Sequence, residues 1–328
     1  MIRCGCKVVR SREIEFVRSK VMSKIAFIYP GQGAQVCGMG KEFYDQTEIG
    51  KQVFDLASEL LGFSVPELCF TPNDRLDITE YTQAAMVTTS IAMTKVLESK
   101  GVKPDVTAGL SLGEYCALYA SGVMSEEDAI TTVRQRGILM QSEVPVGQGT
   151  MAAVLAMDAA AIEAVIADID GVQIANYNCP GQIVISGKKE AVETACEKLK
   201  EAGAKRCIML NVSGPFHSQM LTGAGEKLGK VLETVEVHTP VIPYVANVTA
   251  EYVTDADEVK PLLEKQVSSS VRWQQSVEAM LADGVDTFIE IGPGKTLAGF
   301  IKKINRTVKV MNVEKLEDVE RVVETLQV

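Results

Sequence analysis

The sequence predicts an α/β fold with a compact ferredoxin-like unit inserted into it. Three observations predict this. Short apolar runs at 25–29, 105–110 and 287–291 alternate with longer segments of helical period, the pattern of strands feeding helices. Breakers follow two of these strands, Pro30-Gly31 after the first and Gly292-Pro293-Gly294 after the last. Between 149 and 210 the rhythm changes to a strand at 150–156, a helix at 159–168, strands at 172–177 and 182–186, a helix at 188–202 and a strand at 205–210. That order is βαββαβ, the split-βαβ signature.

The remaining elements follow in chain order. Residues 39–61 read as one helix, with apolar side chains near helical period and Gly62 placed to cap its end. A second long helix spans 78–100 and stops at Gly101. The strand at 105–110 leads into a helix at 112–120. Ser125 with Asp128 three residues on forms an N-terminal cap for a helix running to about 141. After the inserted unit come helices around 217–234, 258–267 and 272–283, the strand at 287–291, and a last helix from about 295. The expected division is 22–147 with 212–328 as the main α/β domain and 148–211 as the small subdomain.

Composition narrows the function. Of 328 residues 46% are hydrophobic and 23% charged, a globular balance with enough apolar material for a large core. With 33 basic against 43 acidic side chains the net charge is −10, which gives no general attraction for nucleic acid. No uncharged apolar stretch reaches the roughly 18 residues of a membrane span. The eight cysteines include no CxxC pair and read as reduced thiols of a cytoplasmic protein, with metal or redox chemistry at Cys4 and Cys6 as the alternative. No metal site or cofactor is expected. Residues 1–21 are basic and unlike the rest. They read as a disordered or non-native extension ahead of a natural start at Met22, with a targeting presequence as the alternative.

The chemistry begins at Gly109-Leu110-Ser111-Leu112-Gly113, which fits G-x-S-x-G between a predicted strand and a predicted helix. A strand turning sharply into a helix brings backbone segments close together and exposes the serine hydroxyl at the sheet edge. The helix N-terminus adds positive potential for a developing oxyanion. A serine hydroxyl needs a base, and the chain has only two histidines, His217 and His238. His217, in the turn Gly214-Pro215-Phe216-His217-Ser218, is favoured over His238, which sits in a surface-like segment. No acidic residue between Ser111 and His217 looks placed to complete a hydrolase triad. Either the third member is absent or a backbone carbonyl orients the imidazole.

Further motifs are Pro30-Gly31-Gln32-Gly33-Ala34-Gln35, the GLSLGEY run at 109–115, Arg136-Gly137 followed by Met140-Gln141, NYNCPGQIVISG at 176–187, Phe216-His217, Gln266, and EIGPGK at 290–295. Taken together, they resemble those of the malonyl-CoA:acyl carrier protein transacylases. The resemblance runs from about 24 to 304. It implies a hydrolase-like core with a parallel sheet, Ser111 as nucleophile and His217 as base. It also implies the carbonyl of Gln266 as the group orienting the histidine, and the amides of Gln32 and Leu112 as the oxyanion hole. Arg136 is implied to hold the free carboxylate of the malonyl group bidentately. Met140 joins it in binding substrate, and the Phe216 ring fills the space an α-methyl branch needs. One departure is Leu110, where many members of the family have histidine.

The expected activity is malonyl transfer from malonyl-CoA to acyl carrier protein through a malonyl-serine intermediate, in a monomer without nucleic-acid or membrane partners. Competing readings are a trans-acting polyketide acyltransferase, a serine esterase, and an inactive carrier-binding scaffold. An acidic carrier would meet Lys188, Lys189, Lys205 and Arg206, or Lys302, Lys303 and Arg306.

Overall fold

The computed structural model describes residues 23–327. The N-terminal extension, with Cys4 and Cys6, lies outside the described residues. The strands in chain order are β1 (Ile25–Tyr29), β2 (Val106–Gly109), β3 (Gly149–Leu155), β4 (Val172–Cys179), β5 (Gln182–Lys188), β6 (Arg206–Met209), β7 (Tyr244–Val245), β8 (Tyr252–Val253), β9 (Thr287–Ile291) and β10 (Lys309–Val313). They form two sheets, a six-stranded one ordered β10-β9-β1-β2-β7-β8 and a four-stranded one ordered β4-β5-β3-β6.

In the larger sheet every pair is parallel except β7 with β8. A parallel sheet is covered on both faces, so its strands read as unbroken apolar runs. β1 shows this directly: Phe27 and Tyr29 enter one core cluster, while Ala26 and Ile28 enter the cluster on the opposite face. Helix Thr79–Ser99 lies wholly within the first layer and is buried almost all round, which is why it carries no clean amphipathic stripe.

The smaller sheet is antiparallel throughout, with its first strand, β3, between its third and fourth. Helices Ala159–Ile166 and Lys189–Glu201 supply Ile162, Ile166, Val192 and Leu199 to a separate core under it. The α/β class, the parallel sheet and the ferredoxin-like strand order are as the sequence indicates. The small sheet is stitched by main chain to the segment between helices Ala256–Gln266 and Trp273–Ala282. Tyr177 N–H donates to the Val271 carbonyl at 2.9 Å and Val271 N–H to Ala175 at 2.8 Å, around a parallel bridge between Asn176 and Val271.

Several elements differ from expectation. The single helix over 39–61 is two helices, Lys41–Gln46 and Glu48–Leu61, because extended Thr47 breaks the first and caps the second through Gly50 N–H at 3.0 Å. The segment around 217–234 begins with a turn and a 3₁₀ stretch, Gln219–Leu221, before helix Thr222–Leu232. Helix Thr296–Ile304 is not the last element: β10 and helix Leu316–Leu326 follow it. Helix Val65–Phe70, capped by Ser64, and the two-residue strands β7 and β8 are too short to show a period in sequence.

Candidate functional site

Ser111 sits at the end of β2, in the left-handed region at φ 57°. The flanking glycines are required by close approach. A Cβ on Gly109 would stand 2.0 Å from the Gly113 carbonyl, and one on Gly113 would stand 2.4 Å from the Tyr29 carbonyl oxygen. Real side chains do not tolerate such contacts, so only glycine lets β2 turn at once into helix Gly113–Ala120 against the end of β1. Asn247 clamps the turn from the β7 side. Its Oδ1 accepts from Ser111 N–H at 2.7 Å, and its Nδ2 donates to the Gly109 carbonyl at 2.6 Å.

His217 Nε2 lies 2.7 Å from Ser111 Oγ, and its Nδ1 lies 2.9 Å from the Gln266 carbonyl. A carbonyl only accepts, so Nδ1 carries the proton and Nε2 presents its lone pair to the serine hydroxyl. The group at Nδ1 is thus a backbone carbonyl and not a carboxylate. His217 is also in the left-handed region, φ 57°, and only 3% exposed. Burial first, and then the nearby Arg136 charge, push its pKa down to about 4, against the pull of its hydrogen bonds at Gln266 and Ser269. At neutral pH the imidazole is therefore uncharged and able to accept a proton. His238 is exposed beside Glu236 and has no part in this arrangement.

Arg136, on helix Glu126–Glu143, is 1% exposed. One terminal nitrogen donates to Gln83 Oε1 at 2.7 Å. The other donates to Gln266 Oε1 at 2.9 Å and to Ser111 Oγ at 3.1 Å. Its Nε is buried without a partner. The guanidinium thus reaches the nucleophile itself rather than facing it across a cleft. It has donor capacity to spare and no carboxylate in contact, so a planar anion entering beside Ser111 meets a preformed cation.

The other expected residues have the following surroundings. Leu112 is buried and opens helix Gly113–Ala120, where the first amides have no intrahelical acceptor. Gln32 is half-buried in the loop after β1 and donates to Thr79 Oγ1 at 3.2 Å. Met140 is buried, and its sulfur accepts from Gln83 Nε2 at 3.6 Å. Phe216 is buried in the main core and folds onto Gly214. Leu110 packs against the second core cluster and donates its amide to the Tyr29 carbonyl at 2.9 Å.

Three contributors had no role assigned from sequence. Gln83 joins Arg136 to Met140, and Asn247 holds the serine turn. Glu114 is a buried carboxyl that accepts from Gln266 Nε2 at 2.6 Å and from Asn247 N–H at 3.3 Å. Burial raises Glu114 to about 7, opposed by those two bonds and by the Arg136 charge. A lone acid early in an otherwise apolar eight-residue helix was the available signal. Among the described residues no group of three His, Cys, Asp or Glu side chains could hold a metal ion, and no helix is long and apolar enough to cross a membrane.

The chain matches the family model described as acyl transferase domain over residues 26–324. It is 48% identical to the malonyl CoA-acyl carrier protein transacylase of Bacillus subtilis (strain 168) over 311 residues, 93% of this chain and 98% of that one. The crystal structure of malonyl CoA-acyl carrier protein transacylase from Clostridium perfringens superposes with a TM-score of 0.90 at 46% identity, covering 93% of this chain and 98% of that one. A second structure, of a type II PKS acyl-carrier protein in complex with its malonyl-transacylase, matches with a TM-score of 0.90 at 37% identity, over 92% of this chain and 100% of that one.

Proposed function

The chain belongs to the acyl transferase domain family, and on that premise we propose that it transfers malonyl groups from malonyl-CoA to the phosphopantetheine thiol of acyl carrier protein, supplying fatty acid synthesis. One observation carries the reading: the Arg136 guanidinium, Ser111 Oγ and His217 Nε2 form a single hydrogen-bonded cluster. A plain esterase has no use for a buried cation against its nucleophile.

His217 Nε2 takes the Ser111 proton as Oγ attacks the thioester carbonyl, and the resulting oxyanion is received by the amides of Gln32 and Leu112. Collapse breaks the carbon–sulfur bond, and the coenzyme A thiolate leaves with the proton from His217. The malonyl-serine ester remains, its free carboxylate on Arg136. The carrier thiol then gives its proton to His217 and attacks the ester, and collapse returns the proton to Ser111 Oγ. Met140 and Phe216 bound the acyl group, Phe216 leaving no room for an α-methyl branch. An acetyl group would leave the buried guanidinium unsatisfied, which favours the malonyl substrate.

The carrier is acidic, and its proposed contacts are the exposed bases Lys188, Lys189, Lys205 and Arg206, or Lys302, Lys303 and Arg306. We read the protein as a cytoplasmic monomer that has no nucleic-acid or membrane partner. The test is intact mass after mixing with malonyl-CoA. A malonyl adduct on the wild type, cleared by added holo-carrier, is expected. An adduct cleared equally fast by water alone would overturn the transferase reading in favour of an esterase.

A further inference from the structure

Gln266 touches every member of the cluster. Its carbonyl accepts from His217 Nδ1, its Oε1 from Arg136, and its Nε2 donates to the Ser111 carbonyl at 2.9 Å and to Glu114 Oε2 at 2.6 Å. A primary amide is nearly symmetric in shape, so packing alone does not decide which end faces Arg136. Were it reversed, an NH₂ group would face the guanidinium. Arg136 would lose an acceptor and meet another donor, which costs a buried group its hydrogen bond.

Two groups oppose the reversal, the Ser111 carbonyl and Glu114. Of these Glu114 takes the shorter bond, 2.6 Å against 2.9 Å, and its Oε2 also accepts from Asn247 N–H at 3.3 Å, itself on the segment that clamps the serine turn. With two N–H groups aimed at it, Oε2 is an acceptor whether or not the carboxyl carries a proton on its other oxygen. The acid is also 1% exposed, and its hydrogen-bond partners are Gln266 and Asn247 and not the reacting atoms, so a solvent or purely catalytic role does not account for it.

We propose that Glu114 is a positioning residue for acyl selectivity: it fixes the Gln266 side-chain amide with Oε1 toward Arg136, and so holds the guanidinium where a substrate carboxylate meets it. The inference rests on the proposed role of Arg136 in binding malonyl. It predicts a division of labour within Gln266. The backbone carbonyl serves the base whatever the side chain does, while the side chain serves the substrate's carboxylate.

The experiment is a steady-state comparison of malonyl-CoA and acetyl-CoA with wild type, Glu114→Gln, Gln266→Met and the double variant. Glu114→Gln replaces the carboxyl oxygen by an amide that can also donate, so both orientations of Gln266 become acceptable. Malonyl-CoA kcat/KM is expected to fall about 10- to 100-fold, mostly through KM, the scale of one hydrogen bond to a charged group, with acetyl-CoA changed less than about threefold. Gln266→Met keeps the backbone carbonyl and removes both amide ends, so malonyl-CoA should again lose more than acetyl-CoA, and the ratio of the two is what is read. Adding Glu114→Gln to Gln266→Met should then cost less than about twofold more, since residues acting through one contact are non-additive.

Equal losses for the two substrates, or fully multiplicative losses in the double variant, would overturn the inference. If Glu114→Gln does not fold, Glu114→Asp, which shortens the reach to Gln266 and keeps the carboxyl, is measured the same way, and unchanged selectivity there would overturn it. A wild type with no preference for malonyl-CoA would instead bring down the reading of Arg136, which separates that failure from this one.

Discussion

Ser111 and His217 stand 2.7 Å apart, and each holds its backbone at φ 57°, a region that side-chain-bearing residues rarely occupy. Both are fixed by bonds from elsewhere in the chain: Asn247 clamps Ser111, and the Gln266 carbonyl fixes the His217 ring. Strain of this kind persists where the surroundings over-determine it, and here it aims the nucleophile and the base at each other.

Removing either side chain separates chemistry from binding. Ser111→Ala should form no malonyl adduct by intact mass. His217→Ala should still bind malonyl-CoA but acylate slower by about 10²–10⁴-fold, the usual worth of a positioned base. Stopped-flow release of coenzyme A measures it, and acylation at the wild-type rate would remove His217 from the mechanism.

Arg136→Ala should lower malonyl-CoA kcat/KM by about 10²–10³-fold while leaving acetyl-CoA within about threefold, since only malonyl presents a carboxylate to the lost guanidinium. The ratio of the two constants is the quantity to follow, and an equal fall in both would mean that Arg136 serves Ser111 rather than the substrate.

The pH dependence has a definite sign. A base whose pKa is lowered keeps its neutral form to lower pH, and His217 is pushed to about 4. With acetyl-CoA, kcat/KM should stay level from alkaline pH down to about one unit above that value and halve near it. With malonyl-CoA bound, the substrate's carboxylate offsets the Arg136 charge that helps to lower His217. The acid limb of kcat for malonyl-CoA should therefore lie at higher pH than that of kcat/KM for acetyl-CoA. A limb at the ordinary histidine value in the acetyl-CoA profile would contradict the buried, cation-flanked environment.

Gly113→Ala places a methyl group 2.4 Å from the Tyr29 carbonyl oxygen, a backbone atom with little freedom to retreat. Overpacking against main chain at this distance should destabilise by about 3 kcal/mol or more. Urea denaturation measures it, and the loss should appear even in a Ser111→Ala background, because it arises from the join between strand and helix and not from catalysis.

Phe216→Ser should raise the methylmalonyl-CoA to malonyl-CoA ratio of kcat/KM by about tenfold, the worth of relieving a clash of one methyl group in a pocket. Because Phe216 is buried in the main core, the same change should lower thermal stability by about 3 kcal/mol or more. A lower melting temperature with an unchanged ratio would assign the ring to packing alone.

What was legible in the sequence follows from how far each signal reaches. The strand–turn–helix around Ser111 is local: an apolar run, two glycines and a helical period sit side by side, and the structure has them in that form. The inserted βαββαβ unit is legible for the same reason, since each of its elements is long enough to show its period. The break at Thr47 is hidden because apolar spacing continues across it, so the cap competes with a pattern that ignores it. Asn247 and Gln83 are hidden for a different reason. They lie in a turn and in a helix buried on every side, where nothing local distinguishes a polar residue that serves a site from one that satisfies a core. Glu114 was visible as an acid but not as a contact, because its partners are 133 and 152 residues away.

The main-chain tie between the small sheet and Val271 constrains how the two units can move. Gln173 of β4 grips the histidine turn, its Nε2 donating to the His217 carbonyl at 3.1 Å and its Oε1 accepting from Gln219 N–H at 3.0 Å. The small sheet is thereby tied both to the base and, through Val271, to the segment just beyond Gln266. Swinging the two units apart like jaws would carry the imidazole off its serine and break main-chain bonds at the same stroke. On the proposed reading, a route to Ser111 for either substrate therefore has to exist with the small sheet docked, rather than open by a hinge between the units.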